Sequence, residues 1–166
     1  MNDDFRLLLE ESLQGLASAA SQILDALPAM AEACVSAALR QALDGHLAET
    51  ERQAERLQRV ADLLEVEPDG GANEEVEGML AGIDDLLEVH PRGPVLDAAL
   101  LGAARRLLAS SAVAYGTLRG MARAAGLEEA AALLGASQAA ERALDERLCR
   151  LAEEEVHPAA LRGQAA

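Results

Sequence analysis

Apolar residues recur at alternating intervals of three and four along most of the chain, the period of helices that each bury one stripe. The first run reads Leu9, Leu13, Leu16, Ala20, Ile23, Leu27 and Met30. It predicts a helix from about Asp3 or Asp4 to the low thirties. Pro28 is expected to kink this helix or begin its end, because proline lacks an amide hydrogen and crowds the preceding turn. Leu39, Leu43, Leu57, Val60 and Leu64 mark a second helix, with Ser36 as its N-cap. Residues 67–71, EPDGG, form the clearest loop signal. Asn73 then caps a shorter helix reaching about Leu87, whose apolar face is Val76, Met79, Leu80, Ile83, Leu86 and Leu87. A second break, HPRGP at residues 90–94, precedes a long helix from about Val95 to Ala125 that Gly126 ends. The last helix runs from about Leu127 to Glu154, with a seam of Leu127, Ala130, Leu134, Ser137, Glu141, Leu144, Leu148 and Leu151.

Four long amphipathic helices and one short one predict an all-α, ferritin-like four-helix bundle. The short helix lies between long helices two and three, where it suits a long crossover. The bundle is expected to occupy residues 1–156, leaving residues 157–166, with His157-Pro158 and Gly163, as a C-terminal tail. Composition agrees with helix: alanine and leucine dominate, with one Phe, one Tyr and no Trp. The formal charge of −15 argues against a nucleic-acid binder, which needs a basic face, and disfavours anionic membrane surfaces. No apolar run approaches the roughly 20 residues that cross a bilayer. The acidic opening MNDDFRLLLEES lacks the basic flank of a secretory signal. Cys34 and Cys149 have no metal-ligand spacing and read as two reduced thiols, so the cytoplasm is the expected location.

One stretch of the second helix breaks the apolar seam: His46, Glu49 and Gln53 follow one another at successive turns of the inward face. A core excludes such groups unless each finds a partner, since an unpaired buried donor, acceptor or charge costs a few kcal/mol. On the last helix Glu141 falls on the seam, with Asp145 one turn onward. The corresponding centre of the first helix is Ala20, and that of the third long helix reads Leu107, Leu108, Ala109, Ser110, Ser111. A carboxylate-bridged pair of divalent ions in a helical bundle takes about four carboxylates. Two inward carboxylates fall short of that. A buried hydrogen-bond network is the first reading of the stripe, and a weak metal site is the second. No metal or catalytic residue is therefore assigned; the residual candidates are His46, Glu49, Gln53, Glu141 and Asp145. Tyr115 reads as a packing residue with one anchoring hydrogen bond. The acidic pairs Glu74-Glu75 and Asp84-Asp85 and the run 153–155 read as solvated.

Several segments in one order resemble the YciE/YciF group of ferritin-like bacterial proteins: QILDALPAM at residues 22–30, HLAETERQAERL at 46–57, VEGMLAG at 76–82, DAALLGAARR at 97–106, AYGTLR at 114–119 and LDERL at 144–148. The resemblance implies a dimeric ferritin-like bundle with a dinuclear metal centre and an association with stress responses. It also implies that most of that centre is gone. The first-helix glutamate falls on Ala20, the Glu-His-Tyr-Glu stretch falls on Leu108, Ala109, Ser110 and Ser111, and two acidic positions of the last helix fall on Ala136 and Ala140. Only Glu49, with His46 and Gln53, and Glu141, with Asp145, keep the pattern.

The expected function is that of a stress-associated, non-catalytic bundle protein without a cofactor, acting as a homodimer or with a related ferritin-like protein. The alternative is a redox or iron-handling protein that holds iron or manganese with the atypical set above. A third expectation is an apolar pocket where the metal cage would be, left by Ala20, Ala109, Ser111 and Ala136.

Overall fold

The structure, a computed structural model, describes residues 1–163. Its helices are α1 (Asp3–Ala33), α2 (Ala37–Leu64), α3 (Glu74–Val89), α4 (Pro94–Ala124) and α5 (Glu128–Leu151), followed by a π-helical turn (Ala152–Val156) and α6 (His157–Arg162). The long helices α1, α2, α4 and α5 form the bundle. α1 packs on α2 and α4, and α5 packs on the same two, so α2 and α4 stand on a diagonal. The start of α4 meets the start of α2, where Asp97 accepts from the amides of Val35 and Ser36. Midway along both, Tyr115 meets Gln53. These helices therefore run parallel, and the chain must return the length of the bundle between them. Helix α3, about 24 Å long at 1.5 Å per residue, makes that return against α1 and α4.

Caps define the elements. Asn2, Ser36 and Asn73 each accept from the backbone amide three residues on, satisfying a donor that the first helical turn leaves free. Helices α2 and α4 end in the same motif. Val66 N donates to Ala61 O and Glu65 N to Asp62 O in the first; Leu127 N donates to Ala122 O and Gly126 N to Arg123 O in the second. The left-handed residue of this motif is Gly126 at φ 76° after α4 and Glu65 at φ 57° after α2.

α1 runs little more than a turn past Pro28 and ends at Ala33, in the low thirties as expected, with Pro28 on its exposed side. One expectation about proline is corrected: His157-Pro158 does not begin a frayed tail. The chain widens into a π turn, with His157 N donating to Ala152 O, and resumes as α6 with Val156 and Ala159 buried. The wider turn accommodates Pro158, which has no amide to donate and whose ring would crowd the carbonyl four residues back. Residues 157–162 thus belong to the bundle; the last three residues of the expected tail lie outside the described ones.

Candidate functional site

The hydrophobic core is in two pieces. One gathers Leu27, Met30, Leu39, Leu43, Leu100 and Leu107 with their neighbours; the other gathers Leu9, Leu13, Leu57, Val60, Tyr115 and Leu134. Between them α2 contributes His46, Thr50 and Gln53 and α5 contributes Ser137, Gln138 and Glu141, all buried. At the same level α1 offers Ala20 and α4 offers Ser111. A polar layer thus crosses the middle of the bundle, and it is built by α2 and α5.

Gln53 joins three helices. Its Nε2 donates to Glu141 Oε1 at 2.5 Å, and its Oε1 accepts from the Tyr115 hydroxyl at 3.3 Å. Thr50 donates back to His46 O, and Gln138 Nε2 donates to Ala112 O across the α4–α5 contact. That contact needs Gly116: a Cβ there would sit 2.2 Å from Gln138 Nε2.

Glu49 is not in the layer proper but on its rim, with 14% of its side chain exposed. Arg56 Nη1 donates to its Oε1 at 2.8 Å, and Arg52 Nε donates to its Oε2 at 2.8 Å. Arg56 Nη1 also donates to Ser137 Oγ at 3.2 Å, so this guanidinium bridges α2 and α5. Burial works to raise the Glu49 pKa, but the arginine hydrogen bonds and charges outweigh it and hold the carboxyl below its usual range.

Asp145 lies away from the layer. Arg105 Nε donates to its Oδ1 at 2.6 Å at a half-exposed position between α4 and α5. Asp145, a residual metal candidate one turn beyond Glu141, is thus engaged by an arginine of the neighbouring helix and not brought together with Glu141. Two side-chain atoms of the layer have no partner, His46 Nδ1 and Glu141 Oε2. Burial pushes the Glu141 carboxyl up to about 7, opposed by the Gln53 hydrogen bond and reinforced by the charge of Glu49. Burial lowers the His46 imidazole to about 4 despite Glu49 nearby. It also raises the Tyr115 phenol above its ordinary value, which keeps it a hydrogen-bond donor.

The residues at the level of the implied dinuclear centre do not suit two divalent ions. Glu49 has both oxygens engaged by arginines, Glu141 has one free oxygen, and Gln53 presents its amide hydrogens to Glu141 rather than an oxygen to a cation. Among the described residues no group of three His, Cys, Asp or Glu side chains is placed to hold a metal ion. The carboxylates that usually balance two divalent charges are therefore missing at this level.

The expected apolar pocket lies elsewhere. Ala109 and Ser111 line a cleft of about 620 Å³, but it opens on the outside of the bundle between α1, α4 and the start of α3. Ala20 and Ala136 are not part of it, and Ala136 is exposed. Arg56, which the apolar seam does not single out, sits one turn beyond Gln53 and two beyond Glu49 on the same face. Glu155, read as solvated, accepts from the Ser36 hydroxyl, and Glu75 accepts from Ser110.

Comparison with known proteins places this architecture. Residues 4–161 match a family described as a domain of unknown function, DUF892. The chain is 33% identical over 141 residues to protein YciF of Escherichia coli K12, covering 81% of this chain and 82% of YciF. It superposes on the crystal structure of the E. coli stress protein YciF with a TM-score of 0.89 at 29% identity, covering 94% of this chain and 99% of that one. YcfI from Rhodopseudomonas palustris matches with a TM-score of 0.83 at 30% identity, over 89% of this chain and 96% of that one. The matches span both cores and the polar layer between them, and on that ground this chain belongs to the DUF892 family and is a relative of YciF.

Proposed function

We propose that this chain is a non-catalytic YciF-type bundle that acts by associating with a second copy of itself, in a stress-associated role within the cytoplasm. The observation that carries the reading is the engagement of Glu49 by Arg52 and Arg56, which spends the best remaining ligand on internal ion pairs. A di-iron or di-manganese redox protein with atypical ligands is the other reading, and it draws only on the unpartnered His46 Nδ1 and Glu141 Oε2. No nucleic acid or membrane partner fits the charge of −15, and no described helix is long and apolar enough to cross a membrane.

Self-association is supported by the cleft between α1 and α4. In a chain with 26% charged residues, Glu75 is its one charged lining residue; apolar groups such as Ala19, Ala109 and Ala114 and neutral polar ones such as Ser12 and Thr117 make the rest. Val113 stands 69% exposed at its edge. A nearly uncharged face on such an acidic surface is one that a second acidic copy meets with little local repulsion.

Sedimentation equilibrium should show a dimer, and Val113→Glu should weaken it by about tenfold or more by placing like charges opposite each other. Elemental analysis of protein expressed with iron and manganese should give far less than one metal ion per chain. Two tightly held ions per chain would return the redox reading.

A further inference from the structure

We infer that Arg56 is the resident cation of the polar layer: its guanidinium holds the remaining ligand carboxylate, Glu49, and ties it to α5 as a metal ion would. The inference rests on the metal-free reading and goes beyond it, because loss of ligands alone leaves buried carboxylates without a counter-charge. Two buried acids with nothing positive beside them repel each other and favour opening the bundle. Here that charge comes from within the chain.

The geometry separates Arg56 from the other arginine on Glu49. Arg52 is 56% exposed in its side chain and lies three residues along the same helix, so its pair with Glu49 is local and solvent-screened. Arg56 is 25% exposed, lies seven residues along, and reaches Ser137 on α5 with the same Nη1 that meets Glu49. A guanidinium suits this position because its planar fork offers several donors and stays charged at every working pH. Its positive field also reaches Tyr115, where it opposes the rise caused by burial. Arg56 and Glu49 therefore pair along α2, Ser137 of α5 accepts from the same guanidinium nitrogen, and Glu141 takes its hydrogen bond from Gln53 instead.

The same arrangement accounts for two of the departures from the implied ligand set, those at Ala20 and Ser111. A carboxylate from α1 at Ala20 or from α4 at Ser111 would add buried negative charge that one guanidinium cannot balance. Alanine and serine there keep the layer near neutrality, and the neutral Gln53 amide donates to Glu141 without adding charge.

Thermal melting of the full-length protein and its variants tests the assignment. Arg56→Gln should lower Tm by about 5 °C, whereas Arg52→Gln should move it by no more than about 1 °C. Adding Glu49→Gln to Arg56→Gln should recover at least half of the loss, because the stranded carboxylate is removed with its partner. If Arg56→Gln alone does not fold, folding of the double variant is the same rescue. Additive losses, or equal effects of Arg52 and Arg56, would overturn the assignment. Melting the wild type with excess Mn(II) or Fe(II) checks the underlying reading separately: a rise in Tm there refutes the metal-free centre, whereas additive losses without such a rise refute only the role given to Arg56.

Discussion

At the scale of single residues, two side chains of the polar layer carry opposite pH dependences. Burial raises Glu141 from 4.5 to about 7 and lowers His46 from 6.5 to about 4. The stability that Glu141 contributes is fully present below pH 4.5 and is lost as pH rises through about 7. His46 contributes stability above pH 6.5 that is lost as pH falls through about 4. Each contribution is at most about 3 kcal/mol. Between pH 4.5 and 6.5 the two slopes oppose, so wild-type stability should be nearly flat there and decline above it. Glu141→Gln mimics the neutral acid and removes one slope. Its stability should climb with pH across that window, leaving the histidine term alone. Urea titrations at half-unit pH steps check this; parallel curves for the two proteins would contradict it. A second residue-scale prediction concerns Glu65, which occupies a left-handed position that Gly126 fills in the equivalent motif after α4. A side chain in that conformation costs about 1–2 kcal/mol, and the greater freedom of glycine in the unfolded chain returns part of it. Glu65→Gly should therefore raise stability by about 1 kcal/mol, read as an increase in Tm of about 2–4 °C.

At the scale of elements, the heptad-like spacing was enough to place all four long helices and α3, because an amphipathic stripe is a local property of the chain. Boundaries at Ser36, Asn73 and Gly126 were also legible, since a cap is set by the residues beside it. The rest depends on neighbours from distant sequence. Asp97 looks like an ordinary first-turn acid, yet it is buried and accepts from two backbone amides of the α1–α2 turn, at 3.0 and 2.7 Å. Glu49 is spaced to face inward, and arginines hold it at the rim, while Asp145, one turn beyond Glu141, pairs with Arg105 of α4. Pro158 fails to stop the last helical stretch, because packing of Val156 and Ala159 on the bundle outweighs one missing hydrogen bond. Asp97 gives the prediction at this scale. Asp97→Asn leaves one acceptor oxygen for two amides, one of them on buried Ser36, and should cost about 2 kcal/mol. Asp97→Ala should cost more. Both should appear as lower urea midpoints with the slope unchanged, and a neutral Asp97→Asn would show that the turn holds without its charge.

At the scale of the whole molecule, charge and shape make a joint claim about assembly. Each copy carries −15, and long-range repulsion between two copies opposes their approach from any direction. The proposed contact across the α1–α4 cleft has almost no ionic attraction to set against that repulsion, because Glu75 is its one charged lining residue. Added salt should then act on the unfavourable part alone. Raising NaCl from about 0.05 M to about 0.5 M shortens the screening length from more than 10 Å to less than 5 Å. The dimer dissociation constant should fall over that range, while apolar burial holds the contact itself. An interface made of arginine–carboxylate pairs on the outer faces behaves the other way, since salt weakens exposed pairs. Sedimentation equilibrium at several salt concentrations therefore discriminates between faces of the bundle. Tightening with salt fits the uncharged cleft, and weakening would move the contact to the charged surfaces of α2 and α5.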